Sequence, residues 1–268
     1  MARAPEVPQA EHIRVDVDPA AAIAGYAGHR LRFADEVTSL TDADLAAPSR
    51  CSKWTVADVL RHGCDVDAWM QAIWSGGPLP FTSFDPRTTP HDSVVEGREL
   101  PDGEVRDRYV ASARAMADDV GSSGPERWGL PSLCPAGPVP WWMSTLHVFY
   151  DSWVHERDAL MPLGRSVPVS PEETTPVLAW VVSLIGHVGT DPLEVDVCGV
   201  HAVLRDGVVS TLTAGSADGD GTPRSAAGVA AIIDAVSGRG SVEDALAGYD
   251  PAVVHRLGAL ARFFDTEP

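Results

Sequence analysis

At 268 residues the chain is long enough for one large domain or two ordinary ones, with the 44% apolar and 22% charged content of a globular protein. Its formal net charge of −18 argues against nucleic acid and anionic membrane surfaces, both of which are held by clustered Lys and Arg. The opening stretch "MARAPEVPQAEHIRVDVDP" has no apolar core, so no signal peptide is expected, and no run of apolar residues is long enough to predict a membrane span. A cytoplasmic chain follows from this, with Cys51, Cys64, Cys134 and Cys198 expected as reduced thiols.

Residues 1–18 are polar and read as frayed or extended. A first helix is predicted over about 19–40, where Ile23, Tyr26, Leu31, Phe33, Val37 and Leu40 lie roughly along one stripe. A second runs from about Thr55 to Trp74, with Thr55 as cap and Asp58 in a capping-box position. On it Val59, His62, Val66, Trp69 and Ile73 recur at spacings of three and four, which sets His62 inside an apolar stripe. The long connection "SGGPLPFTSFDPRTTPHD" precedes a third helix over 102–120, and a fourth extends from Trp141 to about Met161. With no strand pattern among them, these four helices predict a bundle.

The pattern then changes. Ser170, Pro171 and Glu173 signal another helix start. "LEVDVCGVHAVLRDGVVSTLTAG" alternates with period two and turns at Asp206-Gly207, a hairpin signal, before helical periodicity returns. The fold class is α+β: a helical bundle over residues 1–165 and a small α+β domain over 166–268.

"HVFYDSWVHERDA" carries the chemistry. His147, Asp151 and His155 stand at i, i+4 and i+8 on one helix face, so two of them can reach a common ion. A third ligand must come from elsewhere, and inward-facing His62 is the outstanding candidate. Nitrogen and carboxylate donors point first to Zn²⁺, then to other divalent ions, and three protein ligands with an open position would make the metal catalytic. The spacing equally accommodates a solvated or ion-paired face, with His62 a hydrogen-bonded core histidine.

Two stretches add a resemblance. "WTVADVLRHGCDVDAW" (54–69) and "FYDSWVHERDAL" (149–160) resemble the DinB-like mycothiol-dependent maleylpyruvate isomerase family. That resemblance implies a DinB-like four-helix bundle followed by a sterol-carrier-like α+β domain. It also implies a divalent metal, usually zinc, on His62, Asp151 and His155, with mycothiol or a related thiol as cosubstrate for a small-molecule substrate. Asp151 departs from the glutamate common in the family, and His147 is an extra ligand or a partner to Asp151 under this reading. Gly238-Arg239-Gly240 occupies a place where the family often carries Gly-Arg, which makes Arg239 a candidate contact for bound cosubstrate or acidic substrate; otherwise it follows a helix C-cap.

The function expected is a metal-dependent enzyme that presents a small thiol as thiolate. Transfer of the sulfur to an electrophile is favoured because the altered ligand suggests divergence. Cis-trans isomerisation of a maleylpyruvate-like acid, hydrolysis and non-catalytic small-molecule binding are the alternatives. The tryptophans at 54, 69, 74, 141, 142 and 153 are either core or a pocket wall, Cys64 reads as a small buried residue, and Arg157 as an ion-pair partner. "GSADGDGTP" (215–223) is read as a turn, and His187, His201 and His255 receive no role.

Overall fold

The structure is a computed structural model that describes residues 11–79, 82–213 and 226–264. In chain order it contains β1 (Ile13–Asp16), α1 (Pro19–Thr38), α2 (Asp42–Leu45), α3 (Val56–Ser75), α4 (Thr89–Glu96), α5 (Asp102–Gly121) and α6 (Pro125–Trp128). There follow β2 (Pro131–Cys134), β3 (Gly137–Pro140), α7 (Trp141–Leu160), α8 (Pro171–Ser183), β4 (Leu193–Val197), β5 (Val200–Arg205), β6 (Val208–Thr213), α9 (Ala226–Val236), α10 (Val242–Ala245) and α11 (Pro251–Phe264). The chain is α+β, and it folds as two compact units that interleave along the sequence. One comprises Ile23–Ser123 and Asp151–Pro168; the other takes the chain up to Ala22, Gly124–Tyr150 and the chain from Val169. One change of unit falls between Pro168 and Val169, while β1 and the β2–β3 segment belong to the same unit as the later part of the chain.

The helical unit is a bundle of α1, α3, α5 and the C-terminal half of α7. Its core is one cluster to which α1 gives Phe33 and Val37, α3 gives Val59 and Leu60, α5 gives Val105 and Tyr109, and α7 gives Ala159 and Leu160. Helix α3 starts where the sequence requires: the Thr55 side chain accepts from the Asp58 N–H and the Asp58 carboxylate accepts from the Thr55 N–H. Helices α3 and α5 approach closely at Gly63, where an added Cβ would lie 2.5 Å from the Tyr109 ring. The bundle interior also holds a charge pair. Arg30 and Asp67, 2% and 1% exposed, meet at 2.5 Å, and Ser112 Oγ donates to the same Asp67 oxygen at 2.7 Å. Burial raises Asp67 above the usual carboxylate range, against the pull of Arg30 and the Ser112 hydrogen bond.

The long connection after α3 is fastened to that helix. Arg61 donates to the Gly97 and Leu100 carbonyls and to Asp102, Arg98 donates to Asp58 at 2.7 Å, and Ser93 donates to Asp65 at 2.7 Å. Arg61 thereby satisfies two backbone oxygens of the segment, and Arg98 and Ser93 tie it to carboxylates of α3.

In the other unit the sheet order is β1-β6-β5-β4, with β1 parallel to β6 and the other pairs antiparallel. The β5–β6 hairpin turns at Asp206-Gly207 with φ of 51° and 76°, as its sequence predicts, and β4–β5 turns likewise at Cys198-Gly199 with φ of 51° and 79°. Val195, Val197, Val200, Ala202, Leu204 and Val209 are buried at alternate positions against helices that include α8, whose Trp180 is fully buried. Within the stretch read as frayed or extended, residues 13–16 take the extended form as a strand, because His12 and its successors pair with β6. One expectation is corrected here. The first 165 residues also contain the β2–β3 hairpin, whose four-residue strands, rich in Pro, carry too little alternation to be read. No helix among the described residues is long and apolar enough to cross a membrane. The "GSADGDGTP" stretch lies outside the described residues.

Candidate metal centre

Three side chains from two helices converge in the bundle. His62 comes from the middle of α3, Asp151 and His155 from successive turns of α7, and one ligand-type atom from each lies within 4.8 Å of the others. Both imidazoles aim the same nitrogen at the same oxygen: Asp151 Oδ1 is 3.4 Å from His62 Nε2 and 3.7 Å from His155 Nε2. Good N–H···O hydrogen bonds span about 2.7–3.2 Å, so both contacts are long for direct bonding. Tetrahedral zinc with bonds of about 2.0–2.2 Å to nitrogen and oxygen spaces its ligand atoms by about 3.3–3.5 Å. The observed separations suit donors arranged around a shared centre better than donors bonded to each other. Side-chain exposures of 6% for His62, 13% for His155 and 21% for Asp151 leave the cluster reachable from one side.

Surrounding groups fix the donors. Asp158, fully buried one turn after His155, has Oδ2 3.0 Å from His155 Nδ1, which sets Nε2 as the nitrogen with a lone pair for the centre. The Trp54 ring lies 5.2 Å from the His62 ring and 6.0 Å from that of His155, and its Nε1–H donates to His91 Nδ1. Trp69 stands 6.5 Å from the His62 ring and 6.0 Å from Phe84, so aromatic faces flank the histidines. Beneath the cluster a small cavity is lined by Asp151, His155, Ser152, Arg30 and Tyr109. Ser152 accepts from Arg30 at 3.1 Å and lies 2.9 Å from His29 Nε2, while buried Glu156 accepts from Arg32 at 2.9 Å; these contacts bind α7 to α1 on either side of His155. On the α3 side, burial raises the Asp65 carboxyl and the Ser93 hydrogen bond opposes that rise.

The other candidate residues lie elsewhere. His147, one turn before Asp151, is half-buried with its ring 5.9 Å from Trp180, and it joins no ligand-distance group among the described residues. Arg239 follows the α9 C-cap: Gly238 adopts φ of 79°, and the Arg239 N–H donates to the Asp234 carbonyl and its guanidinium to the Ser237 carbonyl. It belongs to the sheet-containing unit. Arg157 is buried, and its guanidinium lies 4.9 Å over the Trp153 ring in a cation–π contact. Burial pushes the Cys64 thiol up to about 12, in keeping with a structural residue. Sequence reasoning missed Asp158 as a partner of His155, although the i,i+3 spacing on one helix was a usable signal. Cys51 and His91 gave no local signal at all.

The fold and cluster define an α+β protein with a candidate three-donor metal centre inside a helical bundle. Residues 27–160 match the family described as the mycothiol maleylpyruvate isomerase N-terminal domain, and the chain belongs to that family. The matched stretch contains all three clustered residues. Among solved structures the chain is similar to a crystal structure of the mycothiol-dependent maleylpyruvate isomerase, with 13% identity, a TM-score of 0.47, and coverage of 65% of this chain and 70% of that one. A histidine-to-alanine mutant of that isomerase is similar at 14% identity and a TM-score of 0.46. No curated protein matches significantly by sequence.

Proposed function

We propose that the protein is a thiol-dependent enzyme that catalyses cis-trans isomerisation of a small, electron-poor unsaturated acid, with mycothiol or a related thiol as cosubstrate and a divalent metal, zinc first, on His62, Asp151 and His155. The observation that carries this reading is the convergence of two imidazole nitrogens on one carboxylate oxygen within the family-matched segment. When bound, the metal holds a thiol as thiolate at neutral pH, supplying a nucleophile that adds to a conjugated double bond and leaves after rotation. No oxidant or second reactant is consumed, because the carbon–sulfur bond that forms is the one that breaks.

The chain's own residues supply the rest. His62 and His155 offer neutral nitrogen donors, and Asp151 contributes one negative charge, leaving the centre net positive toward an anionic sulfur. Asp158 keeps the His155 tautomer correct. Trp54 and Trp69 present apolar rings beside His62 that limit water at the nucleophile.

The case for sulfur transfer as the main reaction rested on Asp151 standing in place of glutamate. The shorter side chain nevertheless reaches both imidazoles, so the substitution is no ground for a changed reaction. Transfer uses the same nucleophile and differs in its product: the thiol is consumed mole for mole.

The test combines metal content with turnover. Purified protein is expected to hold near-stoichiometric zinc, lost in His62→Ala and Asp151→Ala, and to isomerise a maleylpyruvate-type acid only with added thiol and without consuming it. Absence of metal after zinc supplementation, or thiol-independent turnover, would overturn the proposal. Stoichiometric loss of thiol would replace isomerisation with transfer.

A further inference from the structure

A second group of ligand-type atoms meets on the opposite edge of the His155 ring. Cys51, His155 and Asp158 each offer one such atom, all within 4.8 Å of one another. Asp158 Oδ2 is the shared point, 3.2 Å from Cys51 Sγ and 3.0 Å from His155 Nδ1. The other carboxylate oxygen faces Arg50, whose Nε is 3.5 Å from Oδ1. Asp158 is fully buried and Cys51 half-buried, so the group sits at the end of a short path from solvent.

We propose that Cys51, His155 and Asp158 form a second cation site, selective for thiophilic divalent ions such as Cd²⁺ or excess Zn²⁺, and that its occupation empties the first. The second half of this statement rests on the reading of His155 as a ligand of the first site; the first half stands without it.

Three arguments carry the proposal. The first is geometric. Zinc bonds of about 2.3 Å to sulfur and 2.0–2.2 Å to nitrogen and oxygen place tetrahedral ligands about 3.3–3.7 Å apart, so the two contacts of Asp158, at 3.2 and 3.0 Å, must open by only a few tenths of an ångström, and Cys51 and His155 already lie within 4.8 Å. Cys51 can give that much, because it lies outside the helices, in a turn where the Trp54 N–H donates to its carbonyl. The second is donor chemistry. A thiolate beside an imidazole and a carboxylate favours softer ions than two imidazoles and a carboxylate do. The third concerns the shared ring. A neutral imidazole has one lone pair, on Nδ1 or on Nε2. An ion on Nδ1 moves the ring proton to Nε2, which then points an N–H at the centre formed with His62 and Asp151 and can no longer ligate there. One proton, that of the Cys51 thiol, leaves to solvent for each ion bound. The ring therefore acts as a two-position selector: Nε2 serves the His62 and Asp151 centre, and Nδ1 serves the thiolate centre.

The experiment uses the full chain, stripped of metal and titrated with cadmium chloride, read by thiolate-to-cadmium charge-transfer absorption. Wild type is expected to develop a band that saturates at one thiolate per chain. Cys51→Ser should abolish it, with Cys51→Ala as a second variant should the first fold poorly. His62→Ala should keep the band while losing zinc from the first site. In zinc-loaded wild type the band should grow as zinc is released. No band in wild type, or an undiminished band in Cys51→Ser and Cys51→Ala, overturns the second site; a band that grows with zinc fully retained overturns the exclusion. Zinc binding by wild type and its loss in His62→Ala report only on the first site, so the failure of one reading is distinguishable from that of the other.

Discussion

The two halves of α7 carry the same helical spacing and meet different fates. In Trp141–Tyr150 the side chains are overwhelmingly apolar, and His147 lies with its ring against Trp180. In Asp151–Leu160 five of the ten residues are ionisable, and polar residues of this half are met by polar side chains from other elements: His62 faces Asp151, Arg30 and His29 hold Ser152, Arg32 holds Glu156, and Cys51 reaches Asp158. His147, Asp151 and His155 are equivalent by periodicity. Among the described residues, the last two join a ligand-distance group with His62 of a neighbouring helix. An i,i+4 pair places two ligands; whether it makes a centre is decided by what stands opposite.

The largest effect should come from separating the two histidines of that comparison. His62→Ala is expected to reduce zinc content from near-stoichiometric to near zero and to abolish thiol-dependent turnover, while His147→Ala keeps both; elemental analysis beside a turnover assay decides. Equal losses in the two variants would break the distinction between the halves of α7.

Next comes the buried charge beneath the cluster. Arg30→Ala leaves the Asp67 carboxylate buried without its cation and removes a donor to Ser152, with an expected cost of about 3–5 kcal/mol in denaturant unfolding. Arg30→Ala combined with Asp67→Ala should recover part of that loss, since the penalty lies in the stranded charge.

Asp158→Asn sharpens the comparison within the ion-binding half. The amide can no longer accept from His155 Nδ1 as a carboxylate does, and zinc affinity should fall by about 10–100-fold with little change in the fold. Competition with a chromophoric chelator measures it; an unchanged affinity would remove Asp158 from the support of His155.

The smallest effect concerns pH. Burial alone would raise the Asp58 carboxyl, but the hydrogen bonds from Arg98 and the Thr55 N–H, with the charges of Arg98 and Arg61, hold it below the usual carboxylate range. A carboxyl depressed on folding contributes stability that is complete above its unfolded value, near 3.8, and is lost as pH falls from there through the folded value. Asp58→Asn should therefore lower the melting temperature at neutral pH and flatten its decline in acid. A variant whose acid limb matches wild type would contradict this assignment.

Much of the fold is legible in the chain because it depends on near neighbours. The Thr55–Asp58 box starts α3, Asp206-Gly207 turns a hairpin, and apolar residues three and four apart define α1, α3, α5 and α7. The same spacing turns His62 inward. Strand β1 was hidden because four residues carry little pattern and their partner, β6, lies nearly 200 residues later: Ile13 pairs with Val209. The hairpin at 131–140 was hidden by the prolines at its first and last positions, Pro131 opposite Pro140.

By itself, then, the sequence determined the helices, their inward faces, the turn of the main hairpin and three donors of the right chemical type. The tertiary structure alone decided that His62 meets Asp151 and His155 while His147 meets Trp180, and that Cys51 and Asp158 close on the far edge of the His155 ring. The physical reason is range. Helix periodicity and capping are set by atoms within four residues of each other, whereas a metal centre is set by distances of a few ångströms between side chains 89 to 107 residues apart, and those distances exist only once the bundle has packed.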